Sequence, residues 1–584
     1  MKTSGTSRLV GKAFGTRRWA RLTRHVRIAV TCVVLGMTLT VAQTQVRDFK
    51  LVTEQMLRNP NPADWLHWRR TQDAWGYSPL NQITRANVSQ LQLAWSWSMM
   101  TGADEAAPLV YNGVMYLPSP SGIQAIDAAT GDFIWELKRG GIARRTLAIY
   151  GDNIYAGTAE AHLIAVNAAT GKLVWDHTVA DLKLGYRYTS GPIIAKGNVV
   201  AGMTGCERFK EDVCFISAHD AHTGKELWRT STVARPGEPG GDTWGNLPLR
   251  RRAGADAWIP GSYDPASNMI FWGTAQAKPW ASAQRGTDGA ALYTNSTLAL
   301  DADTGKMVWY YQHFPAESHD LDEVFERILV DNGDRRSVFS MGKSGILWEL
   351  DRKTGRFLNA FDLGYQNVVT LDSRTGHVTY RAETVPKLDT RVEYCPGPGG
   401  LKNLFAMAYH PDTRAFYIPV KLSCATSIFA SLSEQDQERG GTGPSKRTSV
   451  PHPASPKDLA EFVAMDSRTG KLLWRNRNLL PYDTAALTTA GGLVFAGDMD
   501  RYFTAFDVAT GQVLWRTRTP LPPNGFPITY SVRGRQYLAV PTSPGWFVAY
   551  FHIQDVLPNF RKVEGGPAIL VFALPEGRTH SQNR

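Results

Sequence analysis

The chain has 584 residues, 43% hydrophobic and 20% charged, with 18 Trp, 53 Gly and a formal net charge of +11. Eight Lys or Arg and no acid fall in residues 1–42, which leaves 56 bases against 53 acids, or +3, for the remainder. A charge that small gives no reason to expect a nucleic-acid partner, and nothing in the pattern resembles a bundle of membrane-spanning segments.

In chain order, Arg17, Arg18, Arg21, Arg24 and Arg27 precede an apolar run over 28–42 that is too short to span a bilayer comfortably. This reads as an export signal (1–42) cleaved near Ala42, with an uncleaved anchor as the alternative; Arg17-Arg18 resembles a twin-arginine signal only weakly. Residues 43–90 look helical over 48–58 and then turn aromatic at Trp65, Trp68, Trp75 and Tyr77, which suggests a lead-in lying against the main domain.

From there one phrase, Asp-x-x-Thr-Gly-x-x-x-Trp, recurs seven times, starting at Asp127, Asn167, Asp220, Asp301, Asp351, Asp466 and Asp507. Six copies carry the Trp (Trp135, Trp175, Trp228, Trp309, Trp474, Trp515), and Asn359 breaks the pattern in the fifth. Short apolar strands flank each copy, such as 122–126 and 133–137, and Thr-Gly suits the turn between them because Gly takes φ > 0 without steric penalty. One hairpin cannot bury a Trp, so the units must stack and enclose the ring between neighbours. The predicted fold is therefore all-β: a β-propeller over 91–576 with tryptophan-docking repeats. The spacings are 40, 53, 81, 50, 115 and 41 residues, whereas a four-stranded blade needs roughly 40–45. The wide gaps must hold insertions, and one further blade of unmarked strands makes eight. Strands over 91–99 and 568–574 would close the ring. Residues 431–457, polar and rich in Gly, Pro and Ser, read as a solvated surface loop, and 577–584 as a polar tail.

Cys32 would leave with the export signal, so four cysteines remain. In an exported protein the natural reading is two disulfides, Cys206–Cys214 and Cys395–Cys424, against four buried thiols. No Cys-x-x-Cys-His occurs, so the chain carries no c-type haem of its own.

A propeller is a scaffold, and function must come from a site. The strongest candidate is the loop Glu317-Ser318-His319-Asp320-Leu321-Asp322-Glu323. Four carboxylates in seven residues repel one another unless a positive charge sits among them, and Asp320 and Asp322, two apart on an extended loop, project to the same side. That spacing suits a hard cation with oxygen ligands; the plainer alternative is a solvated acidic turn.

With these segments, the Trp phrases and residues 271–280, the chain resembles the large catalytic chain of pyrroloquinoline-quinone (PQQ) dependent methanol/ethanol dehydrogenases, over about 65–574. The resemblance implies an eight-bladed propeller, a periplasmic location, PQQ on the axis, a metal beside it and a soluble cytochrome c as electron acceptor. Asp320 matches the catalytic base that takes the alcohol's proton. Asp322 matches the additional aspartate of the lanthanide-using branch, and Glu207 the metal-binding glutamate. Three carboxylates on one ion favour a lanthanide(III) over calcium. Gln276, in Gly-Thr-Ala-Gln, stands where the family has Asn and offers the same amide carbonyl one methylene further out.

For the quinone, Trp258 matches the stacking tryptophan and Arg145 the arginine on a PQQ carboxylate, with Arg144 a near-equal candidate. Glu105, Thr189, Thr204, Gly205 and Cys206 match polar contacts or the loop that carries them. Lys343 matches the cation against the quinone oxygens, and Asn403 and Trp546 match weaker contacts. Many relatives have two adjacent cysteines where this chain has Gly140-Gly141-Ile142-Ala143, so the cover of the cofactor must differ. Cys206–Cys214 would instead stiffen the Glu207 hairpin.

The resemblance implies oxidation of a small primary alcohol, and a homodimer is compatible with it. Two alternatives stand beside it: a PQQ dehydrogenase for larger alcohols or aldehydes, and a non-catalytic envelope propeller. The last would have no reason to keep Glu207, Asp320, Asp322 and Lys343 at this spacing.

Overall fold

The computed structural model describes residues 45–102, 104–545 and 553–576. The expected export signal over 1–42, Trp546 and the tail 577–584 lie outside the described residues. Eight blades of four antiparallel strands are present among those described, and one of them carries the short parallel strand Tyr77–Ser78 as a fifth. The first blade runs Leu109–Tyr111, Val114–Ser119, Gly122–Asp127 and Phe133–Lys138. The second strand is wholly buried, while outer strands such as Leu472–Asn478 alternate between half-buried and exposed. That gradient is what a radial stack dictates, since inner strands are covered on both faces and outer ones meet water.

The recurring phrase is the turn between a blade's third and fourth strands. In the first copy Asp127 Oδ1 accepts from the amides of Ala129 and Thr130 at 2.8 and 3.0 Å, and the Gly131 amide donates to the Asp127 carbonyl. Five of the six Trp then reach the turn of the next blade. Trp135 Nε1 donates to the Ala168 carbonyl at 3.0 Å, and Trp175, Trp228, Trp309 and Trp474 repeat the bond to Ala221, Ala302, Arg352 and Val508. The glycine of that next turn lies under the ring: a Cβ on Gly171 would stand 2.6 Å from a Trp135 ring atom. Glycine is thus required twice, for φ +71 and for the close approach. Where Asn359 breaks the phrase, Phe361 lies against Gly470 instead.

The eighth blade has no phrase. Its strands are Ile528–Val532, Arg535–Thr542, Ala568–Ala573 and, from the other end of the chain, Gln92–Ser98. Gln92 pairs with Ala573 and Ser98 with Ala568, so the ring closes as expected, and Trp95 covers Gly131 of the first blade.

Residues 65–78 fasten the innermost strands of six blades. Trp65 exchanges backbone bonds with Val110, Gln72 bonds Ile194 and Tyr263, Asp73 accepts from Leu329, Trp75 from Tyr409, and Gly76 from Thr488. The inner edges, otherwise unpaired, are thereby satisfied.

Residues 431–457, expected to be a solvated loop, are ordered structure. They hold the helix Glu434–Arg439, closed by a Ser433–Asp436 capping box, and the strand Ser445–Pro451 paired to Ser423–Phe429. Their composition is polar because the side sheet they build lies outside the propeller core. The two expected disulfides, Cys206–Cys214 and Cys395–Cys424, are formed.

Candidate active site

In an antiparallel meander, loops between second and third strands, and loops from a fourth strand to the next blade, emerge at one end. The Trp phrases occupy the other end. Thr204, Gly205, Glu207, Gln276 and Lys343 lie on loops of the first kind; Arg145, Thr189, Trp258, Asp320, Asp322 and Asn403 lie on the second. All eleven wall one cavity of about 340 Å³.

At its acidic side the Lys343 ammonium bridges Asp320 Oδ1 at 3.0 Å and Asp322 Oδ2 at 2.8 Å. The two aspartates do converge, and the cation the loop demanded is Lys343, whose own affinity for its proton burial lowers but this pair more than restores. Asp320 adopts φ +72. Gln276 ties the pair together: its backbone amide donates to Asp322 Oδ1 at 3.2 Å and its side-chain Nε2 donates to Asp320 Oδ1, leaving Gln276 Oε1 buried without a partner. The other two acids of the loop are withdrawn from the cavity. Burial pushes Glu317 up to about 7 and Glu323 up to about 8, so the loop carries fewer than four charges at neutral pH.

Glu207 faces Arg187 at 3.1 Å. Burial alone would raise its pKa, but Arg187 and Lys278 outweigh that and hold it below the usual value. Arg187 and Lys278 were absent from the sequence reading, and so were two further residues on this side. Asp256 accepts from the Gly205 and Cys206 amides at 2.8 and 3.1 Å, with Oδ2 unpartnered; burial and the Glu207 charge push its pKa up. Arg447, from the insertion, stands 3.5 Å from Asp320 Oδ2. The Ala-Trp-Ile signal at 257–259 lay beside Asp256, whereas nothing in the polar stretch around Arg447 marked it.

The flat side of the cavity is Trp258, with the Arg145 guanidinium 5.2 Å from its ring centroid. Arg145 donates to Glu105 Oε2 at 2.8 Å, and Arg144 reaches the same oxygen at 3.2 Å. Arg145, not Arg144, walls the cavity; Glu105 stands behind it and Cys206 is buried in its disulfide. Thr189 Oγ1 is buried without a partner, Thr204 donates to the Arg187 carbonyl, and Asn403 Nδ2 donates to the Gly399 carbonyl. The donor set fits a planar anion and an adjacent metal. An aromatic face, two cations and a free hydroxyl meet the first; the carboxylates of Glu207, Asp320 and Asp322 and the orphaned Gln276 Oε1 meet the second.

The glucose/ethanol/alcohol dehydrogenase β-propeller domain family (PQQ) matches this chain over residues 65–362 and 478–538. The dehydrogenase subunit of a quinone-linked alcohol dehydrogenase from Gluconacetobacter polyoxogenes is 32% identical over 542 residues, covering 84% of this chain and 73% of that protein. The quinoprotein alcohol dehydrogenase PedH of Pseudomonas putida is 29% identical over 539 residues, covering 86% and 89%. A solved europium-containing methanol dehydrogenase superposes with a TM-score of 0.80 at 27% identity, over 89% of this chain and 99% of that one. The chain belongs to the PQQ-dependent quinoprotein alcohol dehydrogenase family, whose activity is the oxidation of alcohols with PQQ and a metal ion.

Proposed function

We propose that the enzyme oxidises primary alcohols of the methanol/ethanol type to aldehydes in the periplasm, using a lanthanide(III) ion in preference to calcium and passing electrons to a soluble cytochrome c. The observation that carries this reading is the convergence of Asp320 and Asp322 on the buried Lys343 ammonium, with Gln276 bonded to both aspartates. When bound, PQQ supplies the hydride acceptor and the metal ion polarises it. Asp320 takes the hydroxyl proton of the alcohol, and Lys343 holds that carboxylate while placing positive charge where negative charge develops. Trp258 would support the cofactor plane and Arg145, oriented by Glu105, would hold an anionic group of it. Glu207, Gln276, Asp320 and Asp322 would hold the metal.

A trivalent ion has its charge met by Glu207, Asp320 and Asp322, whereas calcium leaves one negative charge over in a partly dry cavity, where imbalance is costly. The likeness to a europium-containing methanol dehydrogenase supports the same choice. The two disulfides, and the basic front before a short apolar run, support export to an oxidising compartment.

The test is dye-linked ethanol oxidation after reconstitution with PQQ and either lanthanum or calcium. Wild type should work with lanthanum and weakly with calcium, by a factor on the order of 10 or more, and Asp322→Ala should lose the lanthanum activity first. Equal calcium activity in wild type and variant, with no lanthanide response, would show the aspartate pair has another role.

A further inference from the structure

One wall of the cavity has no part in the chemistry above. Trp280 forms it, half-buried, and two cations lie against its ring: the Arg447 guanidinium 3.6 Å from the centroid and the Lys278 ammonium 5.1 Å from it. Arg447 belongs to the strand Ser445–Pro451. The insertion that brings it is tied to the site at two further points, because Trp280 donates its backbone amide to the Thr442 carbonyl and Gly441 donates to that of Glu207. The Arg447 side chain is 5% exposed, and none of its three nitrogens has a hydrogen-bond acceptor. Asp320 Oδ2, at 3.5 Å, gives it an ion pair without a hydrogen bond, and the Phe429 ring lies 5.5 Å away. Lys278 lines the cavity, and its charge acts on both Glu207 and Asp256.

A guanidinium enclosed between aromatic rings with its N–H groups unanswered is costly unless an acceptor arrives. The carboxylates nearby are committed: Glu207, Asp320 and Asp322 to the metal, and Asp256 to the Gly205 and Cys206 amides. Of the cations, Arg145 is engaged by Glu105, Arg187 by Glu207 and Lys343 by the aspartate pair, which leaves Arg447 and Lys278 as the positive charge for whatever enters. Arg447 also stands beside the carboxylate that receives the hydroxyl proton, so an acceptor there must be carried by the alcohol itself, close along its chain to the hydroxyl. Guanidinium and carboxylate match in plane and spacing, and ammonium adds a second point charge.

We infer that the Trp280 wall, with Arg447 and Lys278, seats a carboxylate, and that the preferred substrates are short hydroxy acids with a terminal hydroxyl. This rests on reading Asp320 as the base. For 3-hydroxypropanoate the balance is simple. One C–H bond of the terminal carbon breaks and its hydrogen leaves with both electrons as hydride, for which the bound quinone would be the acceptor; the O–H bond breaks and its proton passes to Asp320. A C=O bond forms, giving 3-oxopropanoate with the carboxylate unchanged.

The experiment compares 3-hydroxypropanoate with 1-propanol on the PQQ- and metal-loaded enzyme, and measures propanoate binding by quenching of tryptophan fluorescence. Wild type should favour the hydroxy acid by about 10- to 100-fold in kcat/KM, the range expected when a charged partner is left unpaired by the wrong substrate. Arg447→Met should reduce that ratio by a similar factor and abolish saturable propanoate quenching, with Arg447→Lys in between. Lys278→Met, at the cavity surface, should reduce the ratio by about 3- to 10-fold and carries the test if the buried variant does not fold. A wild type that favours 1-propanol, or a ratio that neither variant alters, overturns the inference. If neither alcohol is oxidised while propanoate still binds, the reaction reading fails and the carboxylate seat stands.

Discussion

Asp320 combines a left-handed backbone with a fully engaged side chain, held by Lys343, Gln276 and Arg447. For a residue with a Cβ that conformation costs about 1–2 kcal/mol, and it persists where surrounding contacts over-determine it, as at functional sites. Asp320→Asn keeps size and shape but removes the base. We expect kcat to fall by roughly 10²- to 10⁴-fold, with PQQ affinity changed only slightly in a spectroscopic titration; near-normal turnover would remove Asp320 from the proton-transfer role. His67, away from the site, is buried with both ring nitrogens unpartnered, and burial, aided by Arg69, lowers its pKa to about 3. Between pH 3 and 6.5 the unfolded chain therefore binds the extra proton, so stability rises with pH there and is lost as pH falls below 6.5. The slope from this residue is on the order of 1.4 kcal/mol per pH unit at most, and His67→Leu should flatten the acid limb of a denaturation series; an unchanged slope would mean the ring is charged in the fold or titrates elsewhere. Asp320 and Asp322 were legible as a pair from their spacing on one loop, and Lys343 only through the family resemblance. Asp256 was not, because the amides it accepts from lie about 50 residues away.

At the scale of the element, the phrase works as a relay in which five of its Trp seat on the glycine of the next blade's turn. Adding a Cβ should separate two effects. Gly364 has φ +81 and open space around it, so Gly364→Ala brings only backbone strain, about 1 kcal/mol. Gly171, at φ +71, has Trp135 in the way, so Gly171→Ala should cost about 2–4 kcal/mol as the ring is displaced. Equal losses in chemical denaturation would mean the ring moves aside freely. This relay was readable because both partners recur at fixed offsets within nine residues. The strand Ser445–Pro451 was not, since its alternation of Lys446, Thr448 and half-buried neighbours is that of a thin side sheet rather than of a core strand. Misreading it as a solvated loop is what hid Arg447.

At the scale of the molecule, the ring is held shut by a single shared blade. Ala568–Ala573 lies between Arg535–Thr542 and Gln92–Ser98, so it joins the chain's two ends through backbone hydrogen bonds on both sides. Without it, two strands would present open edges, the first blade's Gly131 would lose its cover as Trp95 came free, and the inward-facing loops that wall the cavity would no longer be held in register. Ending the chain at residue 566 should therefore abolish cooperative thermal unfolding and PQQ uptake together, although every residue placed at the cavity is still present. Ending it at 576 keeps all the paired strands and should leave both intact. A synthetic peptide spanning 566–576 should restore both to the shorter chain by entering the gap as a strand, since main-chain bonds on two edges give it affinity and burial of the side chains from Ile569 to Ala573 adds to it. If the shorter chain instead takes up PQQ with wild-type affinity unaided, the seven remaining blades hold the site without closure, and the lead-in that fastens their inner strands, not the shared blade, is what keeps the ring together.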